Sequence, residues 1–125
     1  MSKENDFVVI LTNVKNKNIT EAVIPEGVTE IGEETFIECK NLKSITIPNT
    51  VTKIGHSAFS GCTSLTNVII PKSVTKIVEG AFEDCKSLTN VTIPKDLKFT
   101  ENPFIGCTSL KSLTTHEGEE IPLPN

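Results

Sequence analysis

The stretch LKSITIPNTVTKIGHSAFSGC, residues 42–62, decides the fold. Its proline does not stand alone: Pro25, Pro48, Pro71 and Pro94 recur every 23 residues, and the strings AVIP, TIP, IIP and TIP align around them. Four copies in register make internal repetition the organising fact, and a period of roughly 20–29 residues belongs to stacked, solenoidal coils. Working outward in the same register, Val28, Val51, Val74 and Leu97 form one column and Ile31, Ile54, Ile77 and Phe99 the next. Phe36, Phe59, Phe82 and Phe104 follow, then Cys39, Cys62, Cys85 and Cys107, then Leu42, Leu65, Leu88 and Leu110. The step from Ile77 to Phe99 is one residue short, after which the columns stay aligned, with Ile45, Val68, Val91 and Leu113 matching.

Each part of the repeat has a physical reading. Leu-x-x-Ile-x-Ile alternates as a short strand, so Leu42, Ile45 and Ile47 point inward and Lys43, Ser44 and Thr46 are left to solvent. Proline cannot donate to a ladder, so Pro48 ends the pairing and begins a bend. Val51 to Gly55 alternates again as a second extended piece, and Gly32 and Gly55 are expected to permit the turn after it, where Val78 and Thr100 stand in the other coils. Ala58-Phe59-Ser60-Gly61-Cys62 reads as a helical turn closing the outer wall. Gly61 and Gly106 would end that turn, whereas Glu38 and Asp84 occupy the position elsewhere, which predicts a closure that is not uniform. A coil buries its faces only against the next, so coils are not expected to be stable singly.

Composition limits the function. A net charge of -4 and no clustered cations argue against nucleic acid as a partner, because that affinity rests on Lys and Arg displacing counterions. There are six Phe but no Trp and no Tyr, the residues that usually anchor pockets and hot spots. The start of the chain shows only a short apolar run, Phe7 to Leu11, and no signal peptide; no segment reaches the roughly 20 apolar residues of a membrane span. Membrane insertion is not expected, and location cannot be read from the residues.

The pattern Leu-x-x-Ile-x-Ile-Pro, Val-x-x-Ile-Gly, Ala-Phe-x-x-Cys between Leu42 and Cys62 resembles the BspA-type leucine-rich repeat family, and the likeness extends over roughly Ile19 to Leu113. The resemblance implies a β-rich leucine-rich repeat solenoid of about four to five coils, with short parallel strands and short helical turns. It further implies a cell-surface or secreted protein that adheres to host or microbial surfaces, binding a protein or glycan such as extracellular matrix. Residues 1–18, with Val8 in the Ile31 register, read as an N-terminal capping segment, 19–113 as the solenoid, and 114–125, rich in Glu and Pro, as a polar tail.

Four candidate sites stand out. The cysteine column cannot converge on a zinc ion, since one residue per coil spreads the sulfurs by about 4.8 Å per step. Disulfides between adjacent coils fall within reach, but small buried reduced thiols are the expected outcome. Glu33, His56, Glu79 and Glu101 stack in one column, better read as a solvated face than as a cation site. Asn18-Ile19-Thr20 and Asn90-Val91-Thr92 match the glycosylation sequon, a short and common pattern. The solvent face of the strands is the strongest: Lys43, Ser44, Thr46, Thr66, Asn67, Ile69, Thr89, Asn90 and Thr92 form a polar, β-branched, nearly uncharged surface. Such residues also merely suit strands. No catalytic motif fits, so neither enzyme activity nor a cofactor is expected. Binding through the strand face is the leading expectation and homo-oligomer formation through the end coils the alternative; ice binding by the threonine array is weakened by Lys43 and Lys111.

Overall fold

The computed structural model describes residues 8–97, 99 and 101–124. It contains ten short strands: β1 (Ile10–Leu11), β2 (Glu21–Val23), β3 (Glu30–Ile31), β4 (Ser44–Thr46), β5 (Lys53–Ile54), β6 (Asn67–Ile69), β7 (Lys76–Ile77), β8 (Asn90–Ile93), β9 (Leu113–Thr115) and β10 (Glu120–Ile121). The chain is a β-solenoid with no helix among the described residues. One wall carries β2, β4, β6, β8 and β9, one strand per coil. A second wall is the parallel sheet β1-β3-β5-β7. The third consists of tight turns.

The 23-residue period becomes register directly. Glu21 pairs Ser44 on the first wall and Asn67 pairs Asn90, while Lys53 pairs Lys76 on the second. Inward side chains then stack in the predicted columns, and Phe59, Cys62, Leu65, Val51 and Ile54 are all fully buried. The phenylalanines form a ladder in which Phe36 and Phe59 lie 5.1 Å apart and Phe82 and Phe104 5.6 Å. Phe99, displaced by the missing residue, instead meets Phe104 edge-on at 6.0 Å.

The turn wall departs from the sequence reading in two ways. Each corner is a single turn closed by an i to i+3 bond, as where the Cys62 N–H donates to the Phe59 carbonyl, and none grows into a helix. The closure is also uniform. Glu38 (φ 60°) and Asp84 (φ 61°) adopt the same left-handed backbone as Gly61 (77°) and Gly106 (80°), so the coil geometry overrides residue preference. Gly32 and Gly55 do not supply a left-handed turn at all. They make room: a Cβ on Gly32 would lie 2.9 Å from the Leu11 carbonyl oxygen, and one on Gly55 3.0 Å from the Glu33 amide nitrogen. The left-handed residues come two positions later, at Glu34, Ser57 and Gly80. Val78 stands in the same column with a Cβ of its own; Thr100 lies outside the described residues.

The ends differ from the middle. Leu11, not Val8, pairs with Ile31, because the first coil is short and its bonds span 20 residues, as between Val9 and Thr29. Val8 is left exposed. Residues 1–7 of the expected capping segment and Asn125 of the tail lie outside the described residues. At the other end β10 turns back antiparallel to β9, the Ser112 hydroxyl donates to the Glu120 carboxylate at 2.7 Å, and His116 Nε2 lies 2.6 Å from the Ile70 carbonyl oxygen.

Candidate binding face

Strand alternation sorts the first wall. Val68, Ile70, Val91 and Ile93 are buried, while Ser44, Thr46, Asn67, Ile69 and Asn90 stand exposed beside them. Lys43, Thr66 and Thr89, which enter the strands, are exposed as well, and Thr92 is half-buried where β8 meets β9. All nine residues singled out in the sequence thus share one outward surface. A hydroxyl braces it between coils, where Thr89 Oγ donates to the Thr66 carbonyl at 3.1 Å, and within its own coil Asn90 Nδ2 donates to that hydroxyl at 3.3 Å.

The chemistry of the face is hydrogen bonding around a small apolar centre. Val23 and Ile69, in the column of Thr46 and Thr92, are 69% and 55% exposed, more than any strand needs for packing. Carboxylates appear only at its ends, at Glu21 and Glu120. Nothing on the face pairs a nucleophile with a base.

The other candidates lie elsewhere. Glu33, His56, Glu79 and Glu101 are exposed on the opposite side of the molecule's turns, where His56 Nδ1 sits 2.9 Å from the Glu79 carbonyl oxygen. Among the described residues no three His, Cys, Asp or Glu side chains converge as a metal site. Cys39, Cys62, Cys85 and Cys107 are buried free thiols. Three of them tie one coil to the previous one: Sγ of Cys62 donates to the Phe36 carbonyl at 3.2 Å, Cys85 to Phe59 at 3.2 Å and Cys107 to Phe82 at 3.0 Å. Burial pushes the Cys62 thiol up to about 12, with the neighbouring Cys39 adding to it. Cys85 is raised too, first by its hydrogen bond with Cys107 and then by burial. The Cys107 thiol is instead lowered, chiefly by its hydrogen bond with Cys85, so the raised pair Cys62 and Cys85 are the poorer nucleophiles of the column.

One feature of the face escapes the sequence. The two best-matched repeats flank a break between β4 and β6, which belong to different sheets. No residue type marks the place.

The pattern of the BspA type leucine-rich repeat region matches residues 13–122 in six copies. The chain belongs to this family. The six copies exceed the four legible in the proline column by two. Several solved structures share the fold. A leucine-rich repeat protein from Bacteroides capillosus is 32% identical with a TM-score of 0.78, covering 89% of this chain and 88% of its own. One from Eubacterium ventriosum is 31% identical with a TM-score of 0.76, covering 90% of this chain and 30% of its own. A leucine-rich cell surface protein from Faecalibacterium prausnitzii is 26% identical with a TM-score of 0.67, covering 79% and 32%. This BspA-type chain therefore spans about a third of the latter two. No curated protein matches it. Leucine-rich repeat proteins of this kind generally bind other proteins, and no helix among the described residues is long and apolar enough to cross a membrane.

Proposed function

We propose that this chain is an adhesion module whose strand face binds a protein or glycan on a host or microbial surface. The observation that carries the reading is that one exposed wall runs across every coil and sets Ile69 and Val23 among Ser, Thr and Asn side chains. An extended wall lets a large ligand touch several coils at once. Apolar contacts set among hydrogen-bonding groups are the usual make-up of a protein-binding patch. The description of the Faecalibacterium relative as a cell surface protein supports a surface location.

The test replaces Ser44, Asn67 and Asn90 together by Glu. These side chains are exposed, so the fold should persist, while three like charges now stand where a partner would have to desolvate them. A binding screen against matrix proteins, mucin and host cells should find a ligand that wild type holds and the variant loses. Equal binding by both places the site elsewhere.

A second reading rests on the first coil, where Val8, Val9 and Ile10 are exposed beside the outer edge of β1. Such an edge is a template for pairing with a second copy. A strict monomer by mass in solution removes this reading, and a dimer without any surface ligand removes the first.

A further inference from the structure

The proline column that marks the repeat also leaves main-chain carbonyls without donors. The last coil shows what the others lack. His116 stands where they carry proline, and its N–H donates to the Ile93 carbonyl of the coil before at 3.2 Å. Pro48, Pro71 and Pro94 have no N–H to give to the equivalent carbonyls of Ile24, Ile47 and Ile70. Among the described residues no main-chain group bonds to any of these three oxygens. A carbonyl turned away from water needs a partner.

The chain answers this need once, with a side chain. The His116 ring reaches past the coil of Pro94 and bonds through Nε2 to the Ile70 carbonyl at 2.6 Å. A carbonyl only accepts, so Nε2 carries the ring proton. One residue thus closes two coils, the nearer by its main chain and the farther by its ring, and Ile70 is fully buried. The Ile47 carbonyl, one coil earlier, receives no donor of either kind among the described residues.

Ile47 borders a hollow of about 310 Å³ together with Asn49, Ile69, Pro71, Lys72 and His116. Its side chain is packed in the core, so it presents its main chain to the hollow. Ile69, exposed on the strand wall, and the ring of Pro71 give the hollow apolar sides. The exposed amide of Asn49 offers a donor at the rim. Lys72 is engaged by Glu117 at 3.6 Å, and its positive charge disfavours a second cation beside it. The fitting group is therefore flat, apolar on its faces and neutral, with one N–H to give and one lone pair to receive. Neutral imidazole has both.

We infer that this hollow receives the imidazole of a histidine on a partner protein. The ring lies against Ile69 and Pro71, its N–H donates to the Ile47 carbonyl as His116 does to Ile70 in the next coil, and its other nitrogen accepts from Asn49. The proline at position 71 creates the site by withholding the N–H that would fill it. The inference rests on the strand wall meeting a protein, since Ile69 belongs to both surfaces, and it names one group that the protein brings.

The experiment uses imidazole itself as the probe. A pH of about 8.5, two units above the ordinary imidazole value of about 6.5, keeps the ring neutral. 1-Methylimidazole supplies the same ring without an N–H. Carbon-13 shifts of the main-chain carbonyls are followed in the labelled full chain. Imidazole should move the Ile47 carbonyl saturably and leave that of Ile70 in place, because His116 already holds it. 1-Methylimidazole should bind there at least about fivefold more weakly, the worth of one hydrogen bond. In His116→Ala the Ile70 carbonyl should respond as well. Pro71→Ala returns a main-chain N–H opposite Ile47 and should abolish the response at that carbonyl.

An Ile47 carbonyl that ignores imidazole, or answers equally to 1-methylimidazole, overturns the inference, and so does an undiminished response in Pro71→Ala. Should His116→Ala loosen the last coil, the two titrations of the unaltered chain still decide. Ser44, Asn67 and Asn90 lie outside the hollow, which separates this test from that of the wall. A surface ligand lost by their triple variant, with a silent Ile47 carbonyl, removes the hollow and leaves the adhesion reading standing. A responsive Ile47 carbonyl on a wall that holds no surface ligand removes the adhesion reading instead.

Discussion

The rings of Phe59 and Phe82 lie 5.0 Å apart with their planes 3° from parallel, each fully buried between two coils. This contact crosses the junction that carries no ladder on the strand wall, and it adds to the β5–β7 pairing and the turn bonds that join the two coils there. Phe59→Ala removes a central rung and leaves a cavity bounded by Phe36 and Phe82. Stability should fall by about 3–5 kcal/mol. Phe99→Ala, at a half-buried ring that meets Phe104 only edge-on, should cost clearly less. Denaturant titration of both variants checks the order, and equal losses would refute the special place of the ladder.

Cys62 gives stability a pH dependence whose sign follows from burial. Its thiol ionises near 9.0 when free in the unfolded chain but only near about 12 when folded. The folded state thus keeps its proton longer, and the contribution is complete below pH 9.0 and lost as pH rises from there towards about 12. Wild type should lose stability more steeply over that window than Cys62→Ala, measured as the denaturant midpoint against pH. Matching slopes would show that the thiol is not sequestered. At neutral pH a thiol reagent should label the four cysteines only after unfolding, and fast labelling of native Cys62 or Cys85 contradicts the buried ladder.

The left-handed corner gives paired substitutions of opposite sign. Glu38 holds φ at 60°, a conformation costing a residue with a Cβ about 1–2 kcal/mol, whereas Gly61 holds the same corner freely at 77°. Glu38→Gly should therefore raise stability by up to about 1 kcal/mol, once the greater entropy of glycine in the unfolded chain is subtracted. Gly61→Ala should lower it by about 1–2 kcal/mol from the backbone alone. The added Cβ also meets the Glu38 carboxylate, but that is the end of a flexible side chain that can swing aside. A thermal melt of each variant reads the sign, and a loss in both would mean that the Glu38 side chain does more for the corner than its backbone costs.

The repeat made most of the fold legible because one residue per coil states each column four times over. The inward columns, the parallel pairing and the outward set from Lys43 to Thr92 all follow from period and alternation. What stayed hidden depends on differences between coils that residue type does not record. Glu38 and Asp84 look like exceptions to glycine, yet the neighbouring coils impose one corner on all four. Leu11 rather than Val8 pairs with Ile31 because a coil can shorten by a few residues in its turns without breaking its strands. The missing ladder between β4 and β6 lies within the most regular stretch of sequence, where Ser44, Thr46, Asn67 and Ile69 are as good strand residues as their neighbours. Inter-coil spacing is a property of the whole stack, and no single column encodes it.

The last coil carries its own cap, and removing it should change how the molecule associates. β10 pairs antiparallel with β9, setting Ile121 opposite Leu113 and Glu120 opposite Thr114. Its half-buried Ile121 and Leu123 pack on the core, and the Thr115 amide donates to the Glu119 carbonyl at 2.8 Å. Without residues 117–125 the outer edge of β9 loses these partners, and Leu113, now fully buried, is exposed at the end of the stack. An open strand edge beside apolar surface favours pairing with another chain. His116 remains to hold the last coil through the Ile70 carbonyl, so the body of the solenoid should stay folded. The truncated protein should keep its β-rich circular dichroism while its mass in solution rises with concentration. Replacing Ile121 by Asp, which weakens the packing of β10 without deleting it, should give a milder form of the same behaviour. If the truncated chain stays as monodisperse as the full chain at every concentration, the hairpin is an ornament on a coil already closed by its own turns.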